Sequence, residues 1–133
     1  MLFGDQHVER YEATAGEEGH DWQGTQTLIL TTKGRKSGEE RKAALIYGEN
    51  DGDYLVVASK GGAPEPPAWY LNLQAEPEVQ VQVKDDTFTA RARDATPDEK
   101  PALWDLMVGH WPDYATYQTK TDRPIAVVIL ERV

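Results

Sequence analysis

Cysteine is absent from the sequence, which excludes disulfide bonds, thiolate metal ligands and a cysteine nucleophile. The three histidines, His7, His20 and His110, lack the i, i+4 spacing of a metal-binding pair on a helix. Serine occurs only twice, and Ser37 lies neither in a Gly-x-Ser-x-Gly elbow nor in a P-loop. The sequence therefore predicts no bound metal and matches none of these nucleophile motifs.

Long apolar runs are also missing. The longest run spans residues 125–130, whereas a membrane-spanning helix needs roughly 20 apolar residues. The first residues lack the basic and apolar regions of a signal peptide. We therefore expect a cytoplasmic protein that forms one domain over residues 1–133.

Positive charge is scarce. The chain has 14 Lys and Arg residues against 23 Asp and Glu residues, which gives a net charge of -9. An acidic surface repels the nucleic-acid backbone, so we expect no nucleic-acid partner. Residues 1–23 carry six acids and one base, which disfavours docking on anionic lipid. Any contact with the inner face of the cell membrane is therefore expected to be peripheral at most.

The regular patterns that are present are mostly those of β-strands. β-branched residues, strict alternation and the hairpin signal Asn50-Asp51-Gly52 carry this prediction. The predicted strands cover residues 25–32, 41–49, 53–59, 79–83, 87–93 and 124–132. Most neighbours in this series are joined by hairpins, which predicts a small antiparallel barrel or sandwich rather than a doubly wound sheet.

Short helices are predicted between these strands, as caps on the barrel. Residues 7–14 can form one helix, and residues 67–74 a second that begins with proline and ends before Pro77. Thr96 and Glu99 have the spacing of a capping box at the start of a third helix. Pro101 conflicts with that start, because its missing N–H removes a bond in the second turn, so the helix can also begin there.

Basic side chains are concentrated in one glycine-containing segment. Residues 33–42 lie between two strand-like runs, residues 25–32 and 43–47, and hold five of the fourteen basic residues: Lys33, Arg35, Lys36, Arg41 and Lys42. Such a cluster predicts a loop that binds phosphate or carboxylate oxygens. The alternative is a solvated hairpin loop whose charge is partly cancelled by Glu39 and Glu40.

A second glycine-rich turn ends the predicted strand at residues 53–59. Its residues are Ser59, Lys60, Gly61 and Gly62. Glycines at this point let backbone N–H groups approach a planar ligand or a phosphate closely. The alternative is an ordinary turn that contains a glycine pair.

Several further motifs follow these two loops in a fixed order. They are Trp69-Tyr70-Leu71-Asn72-Leu73, Ala75-x-Pro77, Trp111-Pro112-x-Tyr114-x-x-Tyr117-Gln118 and Thr121-Asp122-Arg123. Together with the loops, they resemble the deazaflavin-dependent nitroreductase family over about residues 5–132, near its quinone- and nitroimidazole-reducing branch. The resemblance implies a split β-barrel of six to seven antiparallel strands. It also implies reduced coenzyme F420 as a hydride donor and a quinone or nitroaromatic compound as the acceptor.

The resemblance also implies roles for individual residues. It places the cofactor phosphate on Arg35, Lys36 and Arg41, and it places Tyr114 and Tyr117 beside the acceptor, where a phenol can donate a hydrogen bond or a proton. The implied catalytic residues are Tyr114, Tyr117 and Ser59. The implied cofactor-binding residues are Arg35, Lys36, Ser37, Arg41, Ala58, Ser59, Lys60, Gly61, Trp69 and Asn72, with Lys60 as a further basic contact near the phosphate.

Some alternatives stay open on the sequence alone. Trp69 can instead be a core anchor, and Tyr114 and Tyr117 an aromatic core stripe. Lys120 stands where the family pattern has an aromatic residue; a cation there predicts a more polar pocket floor, so the preference for nitroimidazoles or menaquinone does not carry over. A reductase of the same fold that uses flavin mononucleotide and a non-catalytic F420 carrier remain alternatives, and the oligomeric state and physiological acceptor stay open.

Overall fold

The computed structural model describes residues 2–133, in which the chain forms eight strands and four α-helices. The strands are β1 (Asp21–Trp22), β2 (Thr25–Lys33), β3 (Glu40–Ile46), β4 (Gly48–Asn50), β5 (Asp53–Val57), β6 (Glu78–Val83), β7 (Asp86–Asp94) and β8 (Val127–Arg132). The helices are α1 (Gly4–Thr14), α2 (Ala68–Ala75), α3 (Lys100–His110) and α4 (Asp113–Thr119).

The strands form one antiparallel sheet in the order β1-β2-β6-β7-β8-β5-β4. β3 lies outside this order and pairs with residues 27–33 of β2. β3 and β4 are separated only by Tyr47, and β4 pairs with β5. This bent segment therefore links the two ends of the sheet and closes it into a barrel. The prediction of a mainly antiparallel barrel capped by short helices is confirmed.

The two sides of the sheet bury different sets of apolar residues. Alternate residues of β2, β6, β7 and β8, including Leu30, Val81 and Leu130, fill the barrel interior. Val127 and Ile129 point to the other side of β8, where they pack with Met107 of α3. Because β8 is covered on both sides, its sequence reads as a continuous apolar run rather than an alternating one.

The predicted hairpin at Asn50-Asp51-Gly52 is present. Asn50 pairs with Asp53, so the loop between β4 and β5 has two residues. Both have positive φ, 52° at Asp51 and 85° at Gly52, as a type I′ turn requires.

Several predicted boundaries were wrong in detail, and three of them are informative. The pairing of β2 with β3 continues to Lys33 and Glu40, so the strand predicted from residue 41 begins one residue earlier, and the loop is shorter than the basic segment 33–42. The last strand begins at Val127 and not at residue 124, which is a proline without an N–H to donate. α3 begins at Lys100. The capping-box hydrogen bonds between Thr96 and Glu99 do form, at 2.9 and 3.3 Å, but in a turn that precedes the helix.

Within residues 2–133, none of the helices is both long enough and apolar enough to span a bilayer.

Candidate active site

Two concave sites of about 350 Å³ each lie next to one another on the barrel. We call the first the basic pocket; it is lined by Gly34, Arg35, Lys36, Ser37, Arg41, Lys42, Ala43, Ala68, Trp69 and Asn72. We call the second the aromatic cavity; its walls include Phe3, His7, Trp22, Thr27, Ile46, Ser59, Lys60, Gly61, Trp69, Trp111, Tyr114 and Tyr117. Trp69 is part of both walls, so an elongated ligand can extend from one site into the other.

The cations of the basic pocket differ in how far their charge is neutralised. Arg41 forms an exposed ion pair with Glu39 at 3.3 Å, and Lys42 pairs with Glu12 of α1 at 2.5 Å. Among residues 2–133, Lys36 has no ion-pair partner. Lys36 therefore offers its full charge to an anion, whereas Arg41 shares its charge with a flexible carboxylate.

Arg35 is held in place by a buried amide. Asn72 of α2 is only 3% exposed, and its Oδ1 accepts hydrogen bonds from the backbone N–H of Arg35 at 3.2 Å and from Arg35 Nη1 at 3.1 Å. Asn72 Nδ2 donates to Thr32 Oγ1 of β2 at 3.2 Å. Asn72 thus fixes the loop between β2 and β3 against α2 and orients the guanidinium group of Arg35.

The turn after β5 brings Ser59, Lys60 and Gly61 to the aromatic cavity. Its backbone is left-handed at Lys60, Gly61 and Gly62, with φ of 44°, 64° and 85°, a conformation that costs energy for a residue with a Cβ atom. Arg123 stabilises this turn, since its guanidinium donates to the carbonyl oxygens of Ala58, Ser59 and Ala63 at 2.9–3.1 Å. Arg123 belongs to the motif Thr121-Asp122-Arg123, but no role was predicted for it from the sequence.

α4 presents its two tyrosines to the cavity on the same face. The ring centroids of Tyr114 and Tyr117 are 6.2 Å apart. Tyr114 is buried, and this burial raises its pKa well above the usual range of a phenol, with the nearby Tyr117 as a smaller cause. Tyr117 is half-buried, and its hydroxyl accepts a hydrogen bond from Trp111 Nε1 at 3.4 Å. The hydrogen of that hydroxyl remains free to donate to a ligand.

A row of rings that sequence analysis did not identify as functional continues the wall. Trp111 lies 5.8 Å from Trp22, and Trp22 stacks on His7 at 6.1 Å, measured between ring centroids. Three of the four tryptophans of the chain therefore line the cavity. We define the aromatic wall as Tyr114, Tyr117, Trp111, Trp22 and His7. The position of all four tryptophans outside the predicted strands was the one signal in the sequence that could have indicated it.

Comparison with known proteins identifies the family. The sequence profile described as F420H(2)-dependent quinone reductase matches residues 4–132. The chain belongs to this family. An F420H(2)-dependent quinone reductase of Mycobacterium tuberculosis is 38% identical over 130 residues, which cover 95% of this chain and 87% of that protein.

Solved structures of family-like proteins agree with this assignment. A structure described as an F420-H2 dependent reductase, FDR-A, is 45% identical with a TM-score of 0.73, covering 79% of this chain and 93% of the other. A second structure, described as a domain-swapped dimer, is 41% identical with a TM-score of 0.76 and covers 93% of both chains. The predicted split barrel, the predicted oxidoreductase activity and the predicted cofactor, reduced F420, are thereby confirmed.

The geometry of the site fits the family's cofactor. F420 combines a planar deazaflavin ring with an anionic tail, and the chain provides a basic pocket and an aromatic cavity that meet at Trp69. The contact of Trp69 with the barrel core shows that its predicted alternative role as a core anchor also holds.

The structure brings most of the predicted cofactor-binding residues to these two sites, with two differences. Lys60 lies on the aromatic cavity rather than in the basic pocket, and it pairs with Glu65 at 3.2 Å. Ala58 is fully buried and lines neither site, because its backbone is tied to Ala126. Ser37 lines the basic pocket, where its hydroxyl accepts from the N–H of Glu39 at 3.2 Å.

The predicted effect of Lys120 on the pocket floor is not supported. α4 ends at Thr119, and Lys120 is exposed at its C-terminus, outside the lining of the aromatic cavity. Its ammonium lies 5.8 Å from the centre of the Tyr117 ring, a distance at which a cation and an aromatic ring attract each other.

Within the described residues, no three His, Asp or Glu side chains form a group that could hold a metal ion.

Proposed function

We propose that this protein reduces quinones, with the cofactor tail in the basic pocket and the acceptor against the aromatic wall. The observation that carries this proposal is the shared position of Trp69 between the two sites. When bound, reduced F420 supplies the hydride. The protein therefore has to bind and orient the cofactor and the acceptor, and to exclude water.

The basic pocket binds the anionic tail through three side chains with different tasks. Arg35, oriented by Asn72, provides a planar fork for phosphate oxygens. Lys36 provides a charge without an ion-pair partner among residues 2–133, and Arg41 adds a second fork near the start of β3. The turn at Ser59, Lys60 and Gly61 lines the aromatic cavity instead.

The aromatic wall suits a planar acceptor with polar oxygens. Trp22 and Trp111 offer flat apolar surfaces to a quinone ring. The free hydroxyl hydrogen of Tyr117 can donate to a quinone oxygen as negative charge develops on it, which lowers the barrier to reduction. Tyr114 supports this arrangement mainly by packing, since its phenol is buried and its pKa is raised.

Titration of the protein with F420, followed by the fluorescence of the cofactor, tests the role of the basic pocket. We expect Lys36→Ala to weaken binding by about 1.5–3 kcal/mol, the range for hydrogen bonds to charged groups. Lys33→Ala is the matched control, because Lys33 belongs to the same basic segment but does not line the basic pocket. Equal affinities in wild type and Lys36→Ala would refute the assignment.

Replacement of Tyr117 by phenylalanine tests the acceptor side. Tyr117→Phe keeps the ring and its contact with Tyr114 but removes the hydroxyl. We expect unchanged F420 affinity and turnover with a quinone lowered by about 10²- to 10³-fold, as for removal of one oxyanion-stabilising donor. Tyr114→Phe, at the buried position, should lower turnover far less. Full activity in Tyr117→Phe would return both tyrosines to a structural role.

A further inference from the structure

His7 combines deep burial with a position on the wall of the aromatic cavity. It lies in the first turns of α1, is 4% exposed, and stacks on Trp22. Its Nε2 lies 2.8 Å from the carbonyl oxygen of Gly19. A carbonyl oxygen can only accept, so the hydrogen of this bond belongs to Nε2. The imidazole is therefore anchored by one of its two nitrogens.

The other nitrogen of His7 is available to the cavity. Among the described residues, Nδ1 of His7 has no hydrogen-bond partner. In the same part of the chain, every side-chain nitrogen or oxygen that is fully enclosed has a partner. Nδ1 is therefore accessible, and the cavity is the space that His7 lines. A buried imidazole with one anchored and one accessible nitrogen can exchange a proton at a fixed place.

We propose that His7 is a catalytic residue that delivers a proton from Nδ1 to an oxygen of the bound quinone. This inference rests on the proposed function, because it assigns a second polar contact in the same acceptor site. A para-quinone has two oxygens at opposite ends of its ring. Tyr117 stabilises one of them, and His7, at the other end of the aromatic wall, protonates the second.

The reaction balances with one proton from the protein. The quinone gains two electrons and one hydrogen as the hydride, and a second hydrogen as the proton from Nδ1, which gives the hydroquinone. The donor is the imidazolium form of His7, which carries a hydrogen on both nitrogens. When the Nδ1–H bond breaks, its electron pair stays on Nδ1, which takes up a proton from water again before the next turnover. Nε2 keeps its hydrogen in both states of the ring, so the bond to Gly19 persists throughout the cycle.

The side chains next to His7 are engaged in other contacts, so its imidazole is the group that can donate the proton. Thr27 Oγ1 lies 3.3 Å from Nε2 and itself donates to the Gly19 carbonyl oxygen at 2.5 Å. Tyr11, whose ring lies 6.5 Å from that of His7, has a pKa raised by burial and bonds to backbone groups. Within residues 2–133, no carboxylate forms an ion pair with His7.

Turnover of two different electron acceptors distinguishes proton delivery by His7 from a structural role of His7. 1,4-Naphthoquinone needs a hydride and a proton, whereas N-methylacridinium, a planar cation, becomes neutral by accepting a hydride alone. His7→Gln retains an N–H near the position of Nε2 and removes Nδ1. We expect this variant to lower turnover of 1,4-naphthoquinone by about 10²-fold, at the lower end of general-acid effects, and to change turnover of N-methylacridinium by less than about twofold.

His110→Gln is the matched control, because His110 is exposed and lies outside the aromatic cavity. An equal loss with both acceptors in His7→Gln would overturn the proposal and assign His7 a structural role. Unchanged turnover with both acceptors would also overturn it, while leaving the proposed function intact. If the wild type reduces N-methylacridinium but not the quinone, the assignment of a quinone as the acceptor is wrong. If it reduces neither acceptor, the proposed function as a whole is wrong. The His7 proposal is overturned in both cases.

A measurement on the cofactor-free wild type does not depend on how well the variant folds. We would follow the ¹⁵N resonances of the histidine rings while adding 1,4-dihydroxynaphthalene, with naphthalene as the control. We expect Nε2 of His7 to keep its hydrogen throughout both titrations, and the Nδ1 resonance to move with the diol but not with naphthalene. The indole N–H signals of Trp22 and Trp111 report occupancy of the cavity in both titrations. An Nδ1 resonance that stays in place while these signals move would overturn the proposal.

Discussion

At the scale of single residues, the site depends on side chains that hold other side chains in place. Asn72 does not need to touch a ligand to matter, because its Oδ1 satisfies both the backbone N–H and the guanidinium of Arg35. Arg123 has the same relation to the turn at residues 58–63. Asn72 reaches the lining of the basic pocket, whereas Arg123 lines neither site. Both residues link segments that are distant in sequence.

Asn72→Leu tests the first of these links. Leucine has a similar volume but leaves the N–H of Arg35 and the hydroxyl of Thr32 without their partner. We expect the free energy of unfolding in urea to fall by about 1–3 kcal/mol, and F420 affinity to fall with it. Thr32→Val is the control, since it removes only the bond from Asn72 Nδ2 and should leave F420 affinity close to that of wild type. Wild-type affinity in Asn72→Leu would contradict the role assigned to Asn72.

The sequence allowed prediction of those site residues that lie next to one another in the chain. Arg35 and Lys36 share one loop, and Ser59 and Lys60 share another, so local composition and motif order were sufficient. His7 and Trp22 escaped prediction because their place on the cavity depends on contact with Trp111, about 90 to 100 residues further along the chain. Pattern analysis detects local periodicity, whereas such a contact is set by how the barrel and α1 pack together.

At the scale of elements, the turn after β5 and α4 pack closely enough to act as one unit. A Cβ atom at Gly62 would lie 2.6 Å from the carbonyl oxygen of Tyr117, whereas a Cβ atom at Gly61 would meet no atom within 4 Å. Both glycines have positive φ. The two positions therefore differ in packing against α4 and not in backbone handedness.

Alanine substitutions at these two glycines measure that packing. We expect Gly61→Ala to lower the free energy of unfolding by about 1–2 kcal/mol, the cost of a left-handed residue with a Cβ atom. Gly62→Ala should lose that amount and about 1–3 kcal/mol more, because the added methyl group forces α4 away from the turn. Urea unfolding gives both values. Gly62→Ala should also lower quinone turnover, since Tyr117 lies on α4. Equal losses of stability at the two positions would show that α4 moves away from the turn without lowering the free energy of unfolding.

The same scale shows where local signals compete. Thr96 and Glu99 form the hydrogen bonds of a capping box, which would place the first helical residue at Pro97, yet α3 starts at Lys100. Pro101 has no N–H to bond the carbonyl of residue 97, so the regular helical pattern cannot begin in the preceding turn. Alternation predicted β6 and β7 well because each has one buried face. The start of β8 was predicted too early because residues 125–130 form a continuous apolar run, in which no alternation marks where a strand with two buried faces begins.

At the scale of the whole molecule, Arg93 joins the helical cap to the barrel. Its Nη1 and Nη2 donate to the carboxylate of Glu99 at 2.7 and 3.0 Å, and its Nε lies 3.3 Å from Glu131 of β8. The hydrogen bond from Arg93 is the largest cause that lowers the pKa of Glu99 from 4.5 to about 2; the backbone N–H of Thr96 is the next. Glu99 thus stabilises the fold while it is ionised.

Acid should remove this contribution in a defined pH range. A carboxylate whose pKa is lower in the folded state stabilises the protein above the unfolded pKa, and the stabilisation is lost as the pH falls towards the folded pKa. We therefore expect Glu99→Gln to be less stable than wild type at pH 7, and the difference in unfolding free energy to shrink between about pH 4.5 and pH 2. Urea unfolding at each pH measures it. Glu78→Gln, at an exposed position of β6, should give a much smaller difference at pH 7 because Arg93 does not pair with it. A difference for Glu99→Gln that stays constant down to pH 2 would mean that the ion pair with Arg93 does not couple the helical cap to the barrel.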